Sequence, residues 1–243
     1  MRLLNDFLRP IRYYTDTTMD LLFPSCCAGC RNPLVNHEKW LCTVCLYSLP
    51  ETRMHMDSQN EALRLVGGQI PARYVLCYLY FNEASIVQQI VHHFKYLGMK
   101  ELGQFLGQRY AETLLKDQHP IREADVLIPV PIQASRLRKR GYNQSLYFAN
   151  GLGEKLKLEV WPEAMRKVKN ARSQVGKGRM GRFENLERNV VVNPEYSTIL
   201  AGKHVVIVDD VLTTGATVIG CAQELEKAGA AHISIVALAR KRN

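Results

Sequence analysis

The sequence predicts an α/β protein, in which a parallel sheet flanked by helices follows a small cysteine-rich unit. Three observations lead to this prediction. Short apolar runs of strand length alternate with longer segments of helical periodicity from about residue 74 onwards. The run at residues 205–208 is apolar throughout, which is typical of a strand buried on both faces of a parallel sheet. Five of the 7 cysteines lie together between residues 26 and 45, ahead of that alternation.

The composition is that of a globular protein. Of the 243 residues, 47% are hydrophobic and 23% are charged, which excludes a disordered polyelectrolyte, a collagen-like repeat and a disulfide mini-protein. No apolar run reaches the roughly eighteen residues that a membrane span needs. Residues 1–10 lack the continuous apolar core of a signal peptide. We therefore expect a soluble, cytoplasmic protein without a membrane span.

The positive charge is concentrated in one quarter of the chain. The net charge is +9, and residues 132–188 alone hold 14 basic and 5 acidic residues, whereas the remainder is balanced at 18 against 18. A basic excess confined in this way favours a polyanionic ligand, either phosphates or nucleic acid. The alternative is a solvated basic face that binds no partner.

The cysteine spacing predicts a structural zinc site. Two C-x-x-C turns contribute Cys27, Cys30, Cys42 and Cys45. Each turn brings two sulfurs to one side of a loop, and disulfides are not expected in a chain without an export signal. Four thiolates complete a tetrahedral shell, so the metal would hold a small ribbon together and would not react. Buried free thiols are the alternative, and the role of Cys26 stays open.

The elements are predicted in chain order, in two domains at residues 1–50 and 51–243. The first domain has a leading helix over residues 1–24, followed by the zinc ribbon. The second domain begins with a polar connection over residues 51–68. Strands are then predicted at residues 74–80, 126–128, 190–192, 204–208 and 233–238. Helices are predicted at residues 83–95, at 100–116, from about 142 to 156, and at 216–228, the last ended by Gly229.

The chemistry is predicted at residues 205–217. Two carboxylates follow the buried strand at its C-terminal end, where open α/β sheets bind ligands. A loop rich in threonine and glycine then opens a helix, whose first N–H groups favour an anion. Paired carboxylates suit vicinal hydroxyls and can help to place Mg²⁺. The predicted ligand is a sugar with a phosphate at one end; the alternative is a buried strand followed by two incidental aspartates.

This thirteen-residue pattern resembles the phosphoribosyl-pyrophosphate signature of type I phosphoribosyltransferases. It is not a P-loop, because no lysine follows the glycine. Further segments resemble the ComF family (ComFC/GntX-like), and they are residues 22–24, 94–98, 128–131, 136–144 and 172–185 together with the paired cysteines. The resemblance covers about residues 20–240. It implies a type I phosphoribosyltransferase-like parallel sheet behind a zinc ribbon.

The resemblance also implies roles for individual residues. Asp209 and Asp210 would be the catalytic pair that holds the ribose hydroxyls. The phosphate and ribose would be bound by Val211, Leu212, Thr213, Thr214, Gly215, Ala216 and Thr217. The pyrophosphate loop and a basic cluster would comprise Val130, Pro131, Arg138, Lys139, Arg140, Asn143 and Gln144. Arg172, Gln174 and Arg182 would belong to a flexible loop that closes over the substrate.

The function that the resemblance implies is a phosphoribosyltransferase associated with DNA uptake in natural transformation. It would bind phosphoribosyl pyrophosphate with Mg²⁺ and transfer or handle the phosphoribosyl group. The alternative is a non-catalytic competence factor that binds single-stranded DNA or a partner protein and uses the phosphoribosyl site as a ligand sensor. Single-stranded DNA and other competence or recombination proteins are the macromolecular partners considered. The sequence identifies neither the acceptor nor the oligomeric state.

Overall fold

A computed structural model describes residues 25–35, 37–83, 85–168 and 190–241. The chain divides into two compact units, Met1–Leu49 and Pro50–Asn243. The leading helix predicted over residues 1–24 lies outside the described residues. None of the described helices is long and apolar enough to cross a membrane.

The first unit is small and is organised around its cysteines. Its described part contains one short helix, α1 (Thr43–Tyr47), which begins after Cys42. A bridge between Cys26 and Pro33 brings the two sides of the first cysteine turn together. Among residues 25–35 and 37–49, Leu41 and Leu49 are the larger buried apolar side chains besides the cysteines.

The second unit is an α/β fold. Its strands are β1 (Ala72–Phe81), β2 (Val126–Pro129), β3 (Glu159–Val160), β4 (Met165–Lys167), β5 (Val190–Val192), β6 (His204–Leu212) and β7 (His232–Lys241). Within the described residues, five of them form a parallel sheet in the order β1-β7-β6-β2-β3, whereas β4 and β5 form a separate antiparallel pair. The predicted parallel α/β fold is confirmed.

Helices cover the sheet. They are α2 (Glu61–Val66), α3 (Ile86–Tyr96), α4 (Lys100–Lys116), α5 (Ala134–Arg140), α6 (Gln144–Leu156), α7 (Pro194–Leu200) and α8 (Ala216–Lys227). Two short 3₁₀ turns, Met54–Met56 and Pro120–Glu123, precede α2 and β2. The helices α3, α4, α6 and α8 match the helices expected from periodicity to within a few residues at each end.

Strand β6 is the centre of the core. It pairs with β7 on one side and with β2 on the other, and residues 205–208 are fully buried. Burial on both faces is what the unbroken apolar run requires. The strand runs on to Leu212, beyond the predicted end at residue 208, because Asp209, Val211 and Leu212 continue the pairing with β7. The two aspartates are thereby held on a fixed strand and not on a loose turn.

Helix α6 is fixed against α4 by glycine. A Cβ on Gly107 would lie 2.3 Å from the carbonyl oxygen of Phe148, and a Cβ on Gly151 would lie 2.0 Å from that of Gln104. Only glycine permits so close an approach of two helix backbones. This contact holds α6 in place, and the first turn of α6 reaches the site described below.

The polar connection expected over residues 51–68 is wrong, since this segment contains helix α2. The Asn60 side chain accepts hydrogen bonds from the backbone N–H groups of Ala62 and Leu63 and so begins the helix. Ala62 and Val66 are fully buried in the core, together with Met54. Helices α5 and α7 were also not predicted, because each is only 7 residues long and too short to show a helical period.

Candidate active site

A cavity of about 440 Å³ opens at the carboxyl edge of the parallel sheet. Residues from the ends of β1, β6 and β7, from the segment after β2 and from the first turns of α6 and α8 line it. Its charged lining residues are Lys95, Arg136, Arg140, Lys167, Lys241, Asp209 and Asp210. Among the described residues, five cations therefore face two carboxylates. This balance favours a ligand with several negative charges.

Asp209 and Asp210 lie at the floor of the cavity, at the end of β6. The Oδ1 atom of Asp209 accepts a hydrogen bond from the backbone N–H of Asp210 at 2.8 Å and one from Oγ of Ser145 at 3.2 Å. Oδ2 of Asp210 lies 2.7 Å from Nζ of Lys95, and each side chain of that ion pair is 17% exposed. Helices α3 and α6 thus each supply one side chain to the carboxylate pair.

Asp209 is held closer to its neutral form than an ordinary aspartate. Burial, followed by the neighbouring charge of Asp210, raises the pKa of Asp209 from 3.8 to about 7. The N–H of Asp210, the Lys95 ammonium and the Ser145 hydroxyl act in the opposite direction. The charge on this carboxyl group therefore changes near neutral pH, and a cation or a hydroxyl donor in the cavity would favour its ionised form.

The start of α8 faces the cavity, and the N–H of its first residue, Ala216, lies 3.4 Å from Oγ1 of Thr214. Its N-cap is Gly215, which has φ of 81° and no side chain to cap the helix. Thr213 and Thr214 precede it and are exposed, and all the residues from Val211 to Thr217 line the cavity. The first N–H groups of a helix and adjacent threonine hydroxyls are suited to a phosphate. The left-handed backbone of Gly215 makes this approach available.

Arg240, at the end of β7, holds the other side of this loop. Its Nη1 atom donates to the carbonyl oxygens of Thr213 at 2.8 Å, Leu212 at 3.2 Å and Lys241 at 2.6 Å. The residue is only 9% exposed. Because the carbonyls of the loop are bound to a buried guanidinium, they are turned away from an anion in the cavity. No motif in the sequence pointed to Arg240, although it follows a predicted strand.

The start of α6 forms the opposite wall. The Asn143 side chain does not cap the helix, and its Nδ2 donates to the carbonyl of Val130 at 3.0 Å. Gln144 is 2% exposed; its Oε1 accepts from Nη1 of Arg140 at 2.9 Å, and its buried Nε2 has no partner among the described residues. Two helix N-termini therefore face one cavity, with the aspartate pair beside them.

The basic cluster expected around residues 138–140 is only partly brought to the cavity. Arg140 lines it, whereas Arg138 and Lys139 are exposed on α5 and do not. Arg136, one turn earlier, lines the cavity instead. Val130, Pro131, Asn143 and Gln144 also line it, as expected for the segment after β2. Arg172, Gln174 and Arg182 lie outside the described residues.

Four residues that line the cavity were not predicted from the sequence, and they lie in α3, α6, β4 and β7. Lys95 was part of a segment that resembles the ComF family, but no role was given to it. Ser145 lies directly after the predicted pyrophosphate segment. Lys167 and Lys241 end short or terminal strands, and nothing in the sequence marks them as ligands. All four line the cavity.

Three tyrosines near the end of α3 and the start of α6 differ in exposure. Tyr142 is buried, and its hydroxyl donates to the carbonyl oxygen of Phe94. Tyr147 is half-buried against it. Tyr96 is 51% exposed, with the Arg140 guanidinium 5.5 Å and the Lys139 ammonium 5.8 Å from its ring centre. Tyr142 is therefore a core residue, whereas Tyr96, at the end of α3, is a surface residue.

The four predicted cysteine ligands come together in the first unit. The sulfurs of Cys27, Cys30, Cys42 and Cys45 all lie within 4.8 Å of one another. The sulfurs of Cys30 and Cys42 are 3.7 Å apart, and sulfurs around tetrahedral zinc with bonds of about 2.3 Å are about 3.8 Å apart. The cluster is therefore able to bind a metal such as zinc, and Cys26 lies outside it.

Backbone donors favour the thiolate form of one of these cysteines. Burial alone would raise the pKa of Cys27, but N–H groups of Cys42, Cys30 and Gly29 outweigh it and lower the pKa to about 7. The N–H groups of Cys42 and Gly29 lie 3.2 Å and 3.3 Å from its sulfur. Such N–H···S contacts are suited to a thiolate that binds a metal.

Comparison with solved structures finds similar folds. The chain is similar to a glutamine phosphoribosylpyrophosphate amidotransferase from B. subtilis, with 20% identity and a TM-score of 0.37, over 60% of this chain and 30% of that one. It is also similar to a hypoxanthine phosphoribosyltransferase from Staphylococcus aureus, with 16% identity and a TM-score of 0.36, over 59% of this chain and 68% of that one.

Sequence comparison gives a domain and two relatives. Residues 143–243 match the model of the phosphoribosyl transferase domain. The chain is 26% identical over 234 residues to DNA utilization protein YhgH of Escherichia coli, which covers 90% of this chain and 99% of that protein. It is 30% identical over 125 residues to competence protein F of Haemophilus influenzae, which covers 51% of this chain and 54% of that protein. As the ComF resemblance implied, the chain carries a phosphoribosyltransferase domain and is a distant relative of both proteins.

Proposed function

We propose that the cavity binds phosphoribosyl pyrophosphate with Mg²⁺ and that the protein is a phosphoribosyltransferase that acts in the handling of DNA. One observation carries the proposal. Asp209 and Asp210 lie in a cavity that is also lined by two helix N-termini and five cations. A ligand that suits all three features has adjacent hydroxyls and two separate groups of negative charge.

Each part of phosphoribosyl pyrophosphate has a proposed counterpart. The 5′-phosphate binds the N–H groups and hydroxyls of residues 213–217. The ribose hydroxyls donate to the carboxylates of Asp209 and Asp210. The pyrophosphate binds the side of the cavity that holds Arg136, Arg140 and the unpartnered amide of Gln144. A sugar between two phosphate sites explains why the aspartate pair is accompanied by so much positive charge.

The aspartate pair also suits Mg²⁺. Carboxylate oxygens are hard ligands, and Mg²⁺ is commonly held by one or two carboxylates together with substrate phosphates. Oδ2 of Asp210 already lies 2.7 Å from a cation, the Lys95 ammonium. When bound, Mg²⁺ supplies charge neutralisation to the pyrophosphate.

The chain itself contributes positioning and electrostatics. In the transfer, the acceptor's lone pair forms a bond to the anomeric carbon, while the bond to pyrophosphate breaks and its electron pair leaves with that group. Positive charge develops on the sugar ring, and the nearby carboxylates stabilise it. The cations hold the departing pyrophosphate. Asp209 must be ionised for this role. Because its pKa is raised to about 7, it can lose its proton near neutral pH.

The biological setting of the proposal comes from the relatives. DNA utilization protein YhgH and competence protein F are named for DNA use and competence. A transferase domain in a chain related to both is consistent with a step in the uptake or use of DNA.

We further propose that the cysteine cluster holds a structural Zn²⁺ in a separate domain at residues 1–50.

Isothermal titration calorimetry of the zinc-loaded protein tests the ligand assignment. Phosphoribosyl pyrophosphate with Mg²⁺ is expected to bind in the micromolar range, and Asp209→Asn should weaken this binding at least about tenfold. Asp125→Asn is the control, because Asp125 lies at the opposite edge of the sheet, where its Oδ2 accepts from the N–H of His204. No binding by the wild-type protein, or equal binding by Asp209→Asn, would refute the proposal.

A second candidate function rests on Tyr96. An exposed tyrosine flanked by Lys139 and Arg140 is the kind of surface that stacks an unpaired base and neutralises its phosphates. In this reading the protein is a non-catalytic factor that binds single-stranded DNA, and the phosphoribosyl site senses a ligand. The two proposed functions differ in which substitutions weaken the binding of each ligand.

Titration with a fluorescent oligothymidine at two salt concentrations separates them. If Tyr96 is a stacking residue, Tyr96→Ala should weaken DNA binding by about tenfold at both salt concentrations. Lys139→Gln should weaken it mainly at low salt. Asp209→Asn should leave DNA binding intact. DNA binding that survives Tyr96→Ala unchanged would remove the observation that favours this candidate.

A further inference from the structure

The ion pair between Lys95 and Asp210 joins two elements that are far apart in the chain. Lys95 is in the last turn of α3, outside the matched domain at residues 143–243, and Asp210 lies near the end of β6. Nζ and Oδ2 are 2.7 Å apart, and both side chains are mostly shielded from water, at 17% exposure. A pair this close in a poorly hydrated place is not an incidental surface contact.

The pair occupies one of the two carboxylate oxygens of Asp210. A ribose hydroxyl or Mg²⁺ that binds at Oδ2 would compete with the Lys95 ammonium for that oxygen. The displaced ammonium then needs another anion, because an unpaired charge at this exposure is costly. Among the described residues that line the cavity, the only carboxylates are Asp209 and Asp210. A bound anionic ligand would bring further negative charge into the cavity, to which the ammonium can move.

The position of α3 determines which part of the ligand Lys95 can reach. The residue before it, Phe94, accepts a hydrogen bond from the Tyr142 hydroxyl through its carbonyl oxygen. The residue after it, Tyr96, lies 5.5 Å from the Arg140 guanidinium. The end of α3 is therefore attached to residues 140–142, directly before α6. This is the side to which we assigned the pyrophosphate.

We propose that Lys95 is a pyrophosphate-binding residue that holds Asp210 in the empty site and passes to the pyrophosphate when the ligand binds. This inference rests on the proposed function of the site. No covalent bond to Lys95 is involved; its ammonium exchanges one anionic oxygen for another. The exchange couples the two halves of the site, since the pyrophosphate frees Asp210 for the sugar.

The test measures binding of inorganic pyrophosphate with Mg²⁺ and of ribose 5-phosphate separately, by calorimetry, on Lys95→Gln. The affinity for pyrophosphate should fall at least about tenfold, while that for ribose 5-phosphate should stay within about threefold. Lys95→Arg, which keeps the charge, should retain most of the pyrophosphate affinity. Lys100→Gln is the matched control, because Lys100 is exposed and does not line the cavity.

Ribose 5-phosphate binding in the same sample shows that the variant is folded, and Lys95→Met serves if Lys95→Gln is unstable. Unchanged pyrophosphate affinity in Lys95→Gln, with a wild-type protein that binds both ligands, would overturn the role of Lys95 alone. Equal weakening of both ligands would also overturn it, because Lys95 would then only support the shape of the site. A wild-type protein that binds neither ligand would refute the proposed function itself.

Discussion

Nη1 of Arg240 donates a hydrogen bond to the carbonyl oxygen of Thr213 across 2.8 Å. This bond connects the end of β7 to the loop between β6 and α8, and a second bond reaches the carbonyl of Leu212. The guanidinium is buried beside the loop and binds the loop's carbonyl oxygens. The backbone N–H groups of the loop therefore stay available to a ligand in the cavity. The site therefore depends on a residue that does not line it.

Replacing Arg240 should weaken the binding of the sugar phosphate and leave the binding of pyrophosphate unchanged. Arg240→Met removes the donors from two loop carbonyls, and we expect a loss of about 1–3 kcal/mol in unfolding free energy. Affinity for ribose 5-phosphate should fall at least about tenfold, and affinity for inorganic pyrophosphate should be unchanged. Calorimetry with each ligand measures this. Arg73→Met is the control, since Arg73 is exposed at the other end of the sheet.

Parallel loss of both affinities in Arg240→Met would contradict this account, because it would mean that the substitution merely loosens the fold. Retention of ribose 5-phosphate binding would show that the loop keeps its shape without the guanidinium.

Gly215→Ala should impair phosphate binding beyond its cost in stability. Gly215 has φ of 81°, and a Cβ there would lie 3.1 Å from Cγ1 of Val66. Gly202 has φ of 74° with nothing within 4 Å of such a Cβ, and it is far from the cavity. Both substitutions should cost about 1–2 kcal/mol, measured by urea unfolding. Only Gly215→Ala should reduce ribose 5-phosphate affinity, and an equal effect of both would argue against a phosphate site at α8.

The contribution of Asp209 to the free energy of unfolding should fall as the pH rises from about 4 to about 7. Burial and the charge of Asp210 raise the pKa of Asp209 from 3.8 to about 7, so the folded state holds a proton that the unfolded state has already lost. This contribution is complete below pH 4 and disappears above pH 7. Relative to Asp209→Asn, the wild type should lose roughly 2–4 kcal/mol between pH 4 and pH 8. Urea unfolding at both pH values measures it, and a constant difference would show that Asp209 is ionised throughout.

Zinc content should depend on four cysteines and not on the fifth. The purified protein should contain about one zinc per chain, and Cys45→Ser should lose it, because a shell of three thiolates binds zinc much more weakly. Cys26→Ser is the matched control, since Cys26 adjoins Cys27 but lies outside the cluster. Atomic absorption measures the metal. Loss of zinc from Cys26→Ser, or its retention in Cys45→Ser, would mean that the ligand set is different.

The sequence predicted the parts of the fold that local patterns encode. Residues 205–208 predicted a buried strand, because a strand with both faces covered in a parallel sheet consists of apolar side chains. The aspartates and Gly215 were identified because they adjoin that strand in the chain. The cysteine pairs were identified by spacing alone.

The parts that were missed depend on contacts between distant residues. Helix α2 was taken for a connection because its buried face consists of only a few short side chains. Lys95 reaches the site from α3 and Arg240 from β7, and no local pattern records which carboxylate or loop a side chain will meet. Arg138 and Arg136 differ by half a turn of α5, so the choice between them needed the structure.

A crystal structure of the protein with phosphoribosyl pyrophosphate and Mg²⁺ tests the central claim most directly. We predict the 5′-phosphate against the N–H groups of residues 213–217, the ribose hydroxyls on Asp209 and Asp210, and the pyrophosphate beside Gln144 and Arg140. A ligand bound in the reverse direction, or bound away from the aspartate pair, would contradict the account.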